Sequence, residues 1–189
     1  MSGRPGRGAP TLRDGAPDSV KFPAVRPCRP SLFRPARREE REEFVAESYS
    51  SALVDAPVER VWRVFGDFAA LADWHPAITA GEIEQNSSPF VVGAVRKLWL
   101  ADGSTVRERL VSFDSVRCSY GYEMLEGPFP VRNYRATVRV TPVTATGATF
   151  AEWSAHYDAD ADQVVELDRV FREDVFAAGL AALARICAG

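Results

Sequence analysis

The sequence predicts an α+β fold in which a curved antiparallel sheet of seven strands wraps around one long C-terminal helix, with two short helices after strand 1. Three features support this prediction. One strand is followed at once by two short helical segments, six strand-like segments then succeed one another with short turns, and the last 28 residues have a helical apolar pattern. Because the last helix is the only element large enough to cover the apolar face of the sheet, the sheet must curve around it.

The first elements are a strand and two short helices. Residues 47–54 alternate in polarity, as in a half-buried strand. One apolar helix face with the spacing i, i+3, i+4 and i+7 follows, formed by Val58, Val61, Trp62 and Phe65. Pro57 suits the first helical turn, and Gly66 is expected to end the helix in a left-handed conformation. A second helix is predicted over 68–73, before Pro76 forces the preceding residue to be extended.

The remaining strands and the last helix follow from turn signals and periodicity. The predicted strands are 79–86, 92–100, 104–113, 116–125, 132–142 and 147–157. Their short connections predict antiparallel neighbours. Asp160 and Gln163 form a capping-box pattern before a helix whose apolar stripe is Val164, Leu167, Phe171, Val175 and Ala178. Its second half, AAGLAALA, has small side chains, so the helix can lie close to a surface or leave space beneath it.

Composition indicates a soluble chain with one ordinary domain. Of its 189 residues 46% are apolar and 26% charged, and no apolar run reaches the ~20 residues of a membrane-spanning helix. The three cysteines, Cys28, Cys118 and Cys187, are odd in number and far apart, which favours free thiols in a reducing compartment. We therefore expect a cytoplasmic protein without integral membrane association.

Residues 1–43 differ in character from the rest of the chain. Their net charge is +4 against −7 for residues 44–189, and they hold seven of the thirteen prolines. They show no hydrophobic period, so they cannot bury enough apolar area to offset the entropy of ordering. We predict a disordered Pro/Arg-rich arm over 1–43 and a folded domain over 44–189. The acidic charge of this domain argues against a nucleic-acid partner.

The sequence lacks the spaced motifs of common cofactor and metal sites. No G-x-S-x-G, G-x-x-x-x-G-K-[ST] or G-x-G-x-x-G occurs, which argues against α/β-hydrolase, P-loop and Rossmann proteins. The two histidines and three cysteines have neither C-x-x-C nor H-x-x-x-H spacing. We expect no cofactor and no metal.

Two registers are open for the hairpin 92–113. A type I turn with Gly103 in the left-handed region pairs Arg96 with Glu108, whereas a two-residue turn places Glu108 opposite Lys97 on the other face. We favour the first, because it keeps the leucines inside. The inner face then carries Arg96, Leu98, Leu100, Val106, Glu108 and Leu110. The same alternation turns inward Cys118, Tyr120, Tyr122 and Met124 on the next strand, and Tyr134, Ala136, Val138 and Val140 on the one after it.

The last strand offers two candidate inner faces. One consists of Phe150, Glu152, Ser154 and His156, and the other of Ala151, Trp153, Ala155 and Tyr157. Hydrophobicity favours the second set, but the pattern alone leaves both open.

In its order of elements the chain resembles the START-like, Bet v 1-like helix-grip superfamily (SRPBCC), which includes bacterial polyketide cyclases/dehydrases and the plant abscisic acid receptors. The resemblance covers about residues 46–187 and rests on the segments APVERVW, FAALADWHPAI, TVRERL, EGPFPVRNYRATVRVTP and AEW. It implies the helix-grip fold and a cavity for a small apolar molecule between the sheet and the C-terminal helix. Because the turn 101–103 is shorter than the receptors' gate and GPFPVRN replaces their latch, it does not imply hormone sensing. A carboxylate at the place of Glu152 lines the receptors' pocket, so we predict Glu152 and His156 on the inner face.

These observations lead to a functional expectation with alternatives. We expect the domain to bind a small hydrophobic ligand of polyketide, aromatic, isoprenoid or lipid-like character. The alternatives are a polyketide cyclase/dehydrase-type enzyme acting by acid–base catalysis, and a partner-associated protein with a filled core. The candidate catalytic residues are Glu108, Arg96 and Glu152. The candidate ligand-binding residues are Leu98, Leu100, Val106, Tyr120, Tyr122, Met124, Phe129, Tyr134, Ala136, His156, Phe171 and Val175.

Several of these roles have a structural alternative. Arg96 and Glu108 would serve equally as a cross-strand ion pair that fixes the register. Phe129, on the stiff loop 127–131, is either a lid over the entrance or a filler above the last helix. His75, where the short helix meets the sheet, either packs and caps at this corner, which we favour, or lies at the rim and reaches the mouth of the pocket. A weak homodimer is left open.

Overall fold

The computed structural model describes residues 43–188 and has the predicted architecture. The strands are β1 (Glu43–Val54), β2 (Ile78–Ile83), β3 (Val95–Leu100), β4 (Thr105–Asp114), β5 (Ser119–Glu126), β6 (Arg132–Val143) and β7 (Ala148–Asp160). They form one antiparallel sheet in the order β1-β7-β6-β5-β4-β3-β2. Apart from Glu43, the prediction for the arm 1–43 lies outside the described residues.

Two short helices follow β1. Helix α1 (Val58–Phe65) buries Val61 and Phe65 on one face, as its spacing predicts, and α2 (Leu71–Trp74) follows. The left-handed end predicted at Gly66 is wrong, since its φ is −79°. Glycine is required there for space instead, because a Cβ would lie 2.6 Å from the Trp62 ring.

The hairpin β3–β4 adopts the favoured register. Gly103 has φ +86°, and the Leu100 N–H donates to the Ser104 carbonyl at 2.9 Å. Arg96 therefore pairs with Glu108, and Leu98 with Val106.

The prediction for the inner face of β7 is wrong. Its buried apolar residues are Ala151, Trp153, Ala155, Tyr157 and Ala159, and Thr149 is buried on the same face. Glu152 and His156 therefore lie on the outer face, where Glu152 accepts a hydrogen bond from the Tyr49 hydroxyl at 3.1 Å. The hydrophobic pattern prevails because burying the Trp153 ring gains free energy, whereas burying an unpaired carboxylate would cost it.

The C-terminal helix contains a wide turn in its middle. It consists of α3 (Val164–Arg169), a π-helical segment over Val170–Ala177 and α4 (Ala178–Cys187). Phe171 and Phe176 are both buried although they are five residues apart. A π-helix, with its i→i+5 hydrogen bonds, brings such a pair to one face, whereas the predicted α-helical stripe omitted Phe176.

Two further details of this helix concern its start and its small residues. The predicted capping box is wrong, because Gln163 at the N-cap makes no side-chain capping bond and Asp160 is the last residue of β7, where it pairs with Arg132 at 3.3 Å. Gly179 lets the helix approach its neighbours closely. A Cβ there would lie 2.7 Å from the His75 ring and 3.0 Å from the Trp153 ring.

Candidate functional site

A small cavity lies between the sheet and the C-terminal helix. Its volume is about 40 Å³, and its wall is mostly apolar and aromatic. The lining residues are Leu71, His75, Ile78, Leu98, Leu100, Val106, Glu108, Tyr122, Met124, Phe129, Tyr134, Trp153, Phe171 and Val175. Because aromatic side chains from β5, β6, β7 and the helix converge here, they fill most of the space that the curved sheet encloses.

The polar end of the cavity is a buried ion pair. Arg96 Nε donates to Glu108 Oε2 at 2.7 Å, and the two residues are only 1% and 5% exposed. Glu108 lines the cavity, and Arg96 supports it from within the core. Arg96 also donates from Nη1 to the Phe68 carbonyl at 3.0 Å and lies over the Phe68 ring, 4.1 Å from its centroid. This cation–π contact replaces part of the lost hydration of the guanidinium.

The electrostatics of Arg96 keep it charged. Burial is the largest single effect on its pKa and lowers it, but the Glu108 carboxylate, together with Tyr120 and Tyr122, outweighs burial, so the net pKa is raised. Its Nη2 group is buried and has no partner with good hydrogen-bond geometry among residues 43–188, although a hydrogen bond between the Arg96 side chain and the Tyr120 hydroxyl opposes the rise in the pKa of Tyr120. Buried donors in folded proteins are rarely left unpaired, so this group needs an explanation.

Three buried tyrosines surround the ion pair. Burial is the main cause that raises the pKa of Tyr120, Tyr122 and Tyr134, and the negative charge of Glu108 adds to it in each case. Their hydroxyl groups are therefore protonated at neutral pH and can donate hydrogen bonds. Tyr122 in turn accepts a hydrogen bond from Trp153 Nε1 at 2.9 Å, which fixes its ring in the wall.

His75 connects the short helices to the π-helical segment. The Ala77 N–H donates to its Nδ1 at 3.2 Å, so Nε2 carries the proton and donates to the Val175 carbonyl at 2.9 Å. Burial lowers the pKa of His75, and the positive charge of Arg96 lowers it further, against the opposing effect of the Val175 hydrogen bond. The imidazole is therefore neutral and holds the helix over the cavity.

The structure brings together most of the predicted site residues. Those in the cavity wall are Leu98, Leu100, Val106, Glu108, Tyr122, Met124, Phe129, Tyr134, Phe171 and Val175. Tyr120 and Ala136 are buried but do not reach the cavity, because Tyr120 packs against Trp62 and Phe68. Glu152 and His156 are on the opposite side of the sheet.

The predicted set of binding residues omitted four lining residues, namely Leu71, His75, Ile78 and Trp153, although the pocket mouth was one of the two places considered for His75. Trp153 could have been found by following hydrophobicity on the last strand. The other three come from the corner between α2 and β2, where the sequence shows no period that would indicate a cavity. Among residues 43–188 no group of three or more His, Cys, Asp or Glu residues is placed to hold a metal ion.

The comparisons with known proteins identify the family of this chain. The family described as "Polyketide cyclase / dehydrase and lipid transport" matches residues 45–188. The chain belongs to this family. No curated protein matches the sequence. No helix within the described part of the chain is long and apolar enough to cross a membrane.

Solved structures of similar proteins have the same fold. The protein XoxI of Bacillus cereus is 30% identical, with a TM-score of 0.68 over 75% of this chain and 95% of its own. A protein of Thermobifida fusca is 35% identical, with a TM-score of 0.66 over 73% of this chain and 90% of its own. The Zhui aromatase/cyclase of Streptomyces sp. R1128 is 21% identical, with a TM-score of 0.63 over 76% and 94%. At that identity the last likeness concerns the fold alone.

Proposed function

We propose that this protein binds a small, mostly apolar molecule under the C-terminal helix and anchors an oxygen or hydroxyl of that molecule at the Arg96–Glu108 end. The observation that carries the proposal is a fully buried ion pair whose carboxylate lines an otherwise apolar, aromatic cavity. A well-packed hydrophobic pair is often at least as stable as a buried ion pair. A recognition role gives this costly pair a reason to be present.

The donor groups at the polar end suit a ligand carbonyl or hydroxyl. Protonated Tyr122 and Tyr134 line the cavity beside Glu108, so the wall offers both donors and an acceptor. Family membership supports a hydrophobic ligand, since the family includes lipid transport and polyketide cyclases.

The volume of the cavity sets a condition on binding. Drug-sized ligands occupy pockets of ~300 Å³ or more, whereas the space here is about 40 Å³. Binding therefore requires side chains in the wall to move. A flat aromatic molecule fits this condition best, because its own ring contacts with Phe129 and Phe171 can replace the contact that these two rings make with each other.

Native mass spectrometry of freshly purified protein tests the proposal by detecting a retained small molecule. In Glu108→Gln, which keeps the shape but removes the charge, we expect the retained fraction to fall by about tenfold or more. The matched control is Glu123→Gln, which removes a carboxylate paired with Arg109 at the outer face of β5 and should leave retention unchanged. Absence of ligand and of binding to neutral aromatic probes in all variants would overturn the proposal.

A cyclase-type enzyme is the second candidate, and one feature favours it. Glu108 is a carboxylate that can accept a proton from a bound carbonyl compound, and the protonated Tyr122 and Tyr134 beside it can donate hydrogen bonds to the carbonyl oxygen. Glu152 has no part in this mechanism, because it lies outside. If the protein converts the retained molecule into a product, Glu108→Gln should abolish this conversion. Tyr122→Phe should still bind the molecule but convert it more slowly. Conversion undiminished in Glu108→Gln would exclude the enzyme role of this residue.

A further inference from the structure

A second pocket adjoins the inner cavity at the loop between β5 and β6. It has a volume of about 220 Å³ and is lined by Met124, Leu125, Glu126, Gly127, Phe129, Val131, Asn133 and Tyr134. Three of these residues, Met124, Phe129 and Tyr134, also line the inner cavity of about 40 Å³. Their side chains therefore form the partition between the two spaces.

Phe129 is the member of this partition with the greatest freedom to move. Tyr134 is only 4% exposed and packs between Tyr122 and Phe171, so it is fixed. Met124 lies under Gly127, where a Cβ would come within 2.7 Å of its Sδ. Phe129 is half-buried on an exposed loop, and its one ring contact among the described residues is with Phe171, at 4.9 Å between centroids.

The loop around Phe129 is stiff, so the Phe129 ring is expected to move by side-chain rotation while the backbone of the loop stays in place. Pro128 and Pro130 flank the residue, and the Val131 N–H donates to the Phe129 carbonyl at 2.8 Å. Just beyond the loop, near the start of β6, Asn133 has a φ of +51° and donates from Nδ2 to Asp158 Oδ2 at 2.5 Å. The backbone is thus held at its end while the Phe129 ring covers the inner cavity.

The outer pocket is more polar than the inner one. Glu126 contributes a carboxylate, which is paired on one side with Arg107 Nη1 at 2.5 Å, and Asn133 contributes an amide. The Glu126 side chain is 67% exposed, so its second oxygen is open to a donor group of a ligand. Such an end recognises a hydroxyl or amine rather than a hydrocarbon chain.

We infer that the two spaces are the halves of one amphipathic ligand site, which becomes continuous when the Phe129 ring swings away. The inner half takes an aromatic ring system, and the outer half takes its hydroxyl- or amine-bearing substituent at Glu126. This inference rests on the proposed function and adds the entrance and the chemistry of the ligand's outer end. Joined, the two spaces approach the lower size limit of small-molecule pockets, ~300 Å³.

Stopped-flow fluorescence with N-phenyl-1-naphthylamine, a neutral aromatic dye, tests the partition. Phe129→Ala should bind the dye about tenfold faster than the unaltered protein, and Phe129→Trp should bind it more slowly, because the ring controls entry. Phe90→Ala is the matched control, since Phe90 is also partly exposed and packs on one ring, that of Phe113. It should leave the rate unchanged.

Competition of 1-naphthylmethylamine with the dye tests the outer half. Glu126→Gln should weaken the binding of this amine by about tenfold, because one charge-assisted hydrogen bond is lost, and should leave the affinity for the dye unchanged. Equal weakening of both compounds, or of neither, overturns the assignment of the outer pocket.

The outcomes separate this inference from the proposed function. If Glu108→Gln weakens dye binding but Phe129→Ala, Phe129→Trp and Phe90→Ala all bind the dye at the same rate, the partition is refuted and the proposed function is retained. Failure of the dye to bind any variant, with no retained ligand, would refute both. If Phe129→Ala does not fold, as judged by near-ultraviolet circular dichroism, Phe129→Leu and Phe129→Trp carry the kinetic comparison.

Discussion

Replacement of Arg96 by methionine measures how strongly the buried ion pair constrains this fold. The substitution keeps an unbranched apolar stem but leaves the Glu108 carboxylate, which is only 5% exposed, without its partner. Removing one member of a buried pair typically costs about 3–5 kcal/mol. The variant also loses the hydrogen bond to the Phe68 carbonyl and the cation–π contact with the Phe68 ring, so the upper half of this range is expected.

Urea unfolding at pH 7, followed by tryptophan fluorescence, measures the loss in the free energy of unfolding. With a slope of ~2 kcal/mol per molar urea, the midpoint of Arg96→Met should fall by about 2 M. The double variant Arg96→Met/Glu108→Gln should recover most of the loss, because no buried charge remains.

Arg109→Met provides the control. Arg109 follows Glu108 on β4, points to the outer face and pairs there with Glu123. Since exposed ion pairs contribute little, its effect should be a small fraction of that of Arg96→Met. Equal midpoints for the two variants, or a double variant no more stable than Arg96→Met, would show that the buried pair does not act as described.

Two further predictions concern the contact between the helix and the corner at His75. Because burial lowers the folded-state pKa of His75 below the ordinary value of 6.5, the unfolded chain takes up a proton that the folded chain does not, and stability should fall as the pH drops below about 6.5. His75→Gln should reduce this slope by up to ~1.4 kcal/mol per pH unit whereas His156→Gln, on the outer face, should keep it; equal slopes in both variants would contradict the assignment. Gly179→Ala should destabilise the domain by about 1–3 kcal/mol despite alanine's better helix propensity, since its Cβ would lie 2.7 Å from the His75 ring. Thermal unfolding of Gly179→Ala is compared with that of Ala181→Gly, at an exposed site of the same helix, which separates the clash from the effect of helix propensity. If Gly179→Ala is more stable than the unaltered protein, the clash is disproved.

The sequence by itself predicted the architecture and favoured the register that forms the ion pair. Period-two alternation and short turns specify antiparallel neighbours, and one left-handed residue, Gly103, selects the register that joins Arg96 to Glu108. These are local properties, since each depends on residues within a few positions of one another. The inward tyrosines of β5 and β6 follow from the same alternation.

Only the tertiary structure decided where the helix widens and how much space remains, and it settled for β7 the inner face that hydrophobicity favours. The Trp153 ring lies inside because it stacks on Phe176, with 5.0 Å between centroids, and Phe176 in turn reaches the core only through the π-helical turn. Each of these placements depends on a partner from a distant part of the chain. The same convergence of distant rings reduces the cavity to about 40 Å³, a volume that no local pattern encodes.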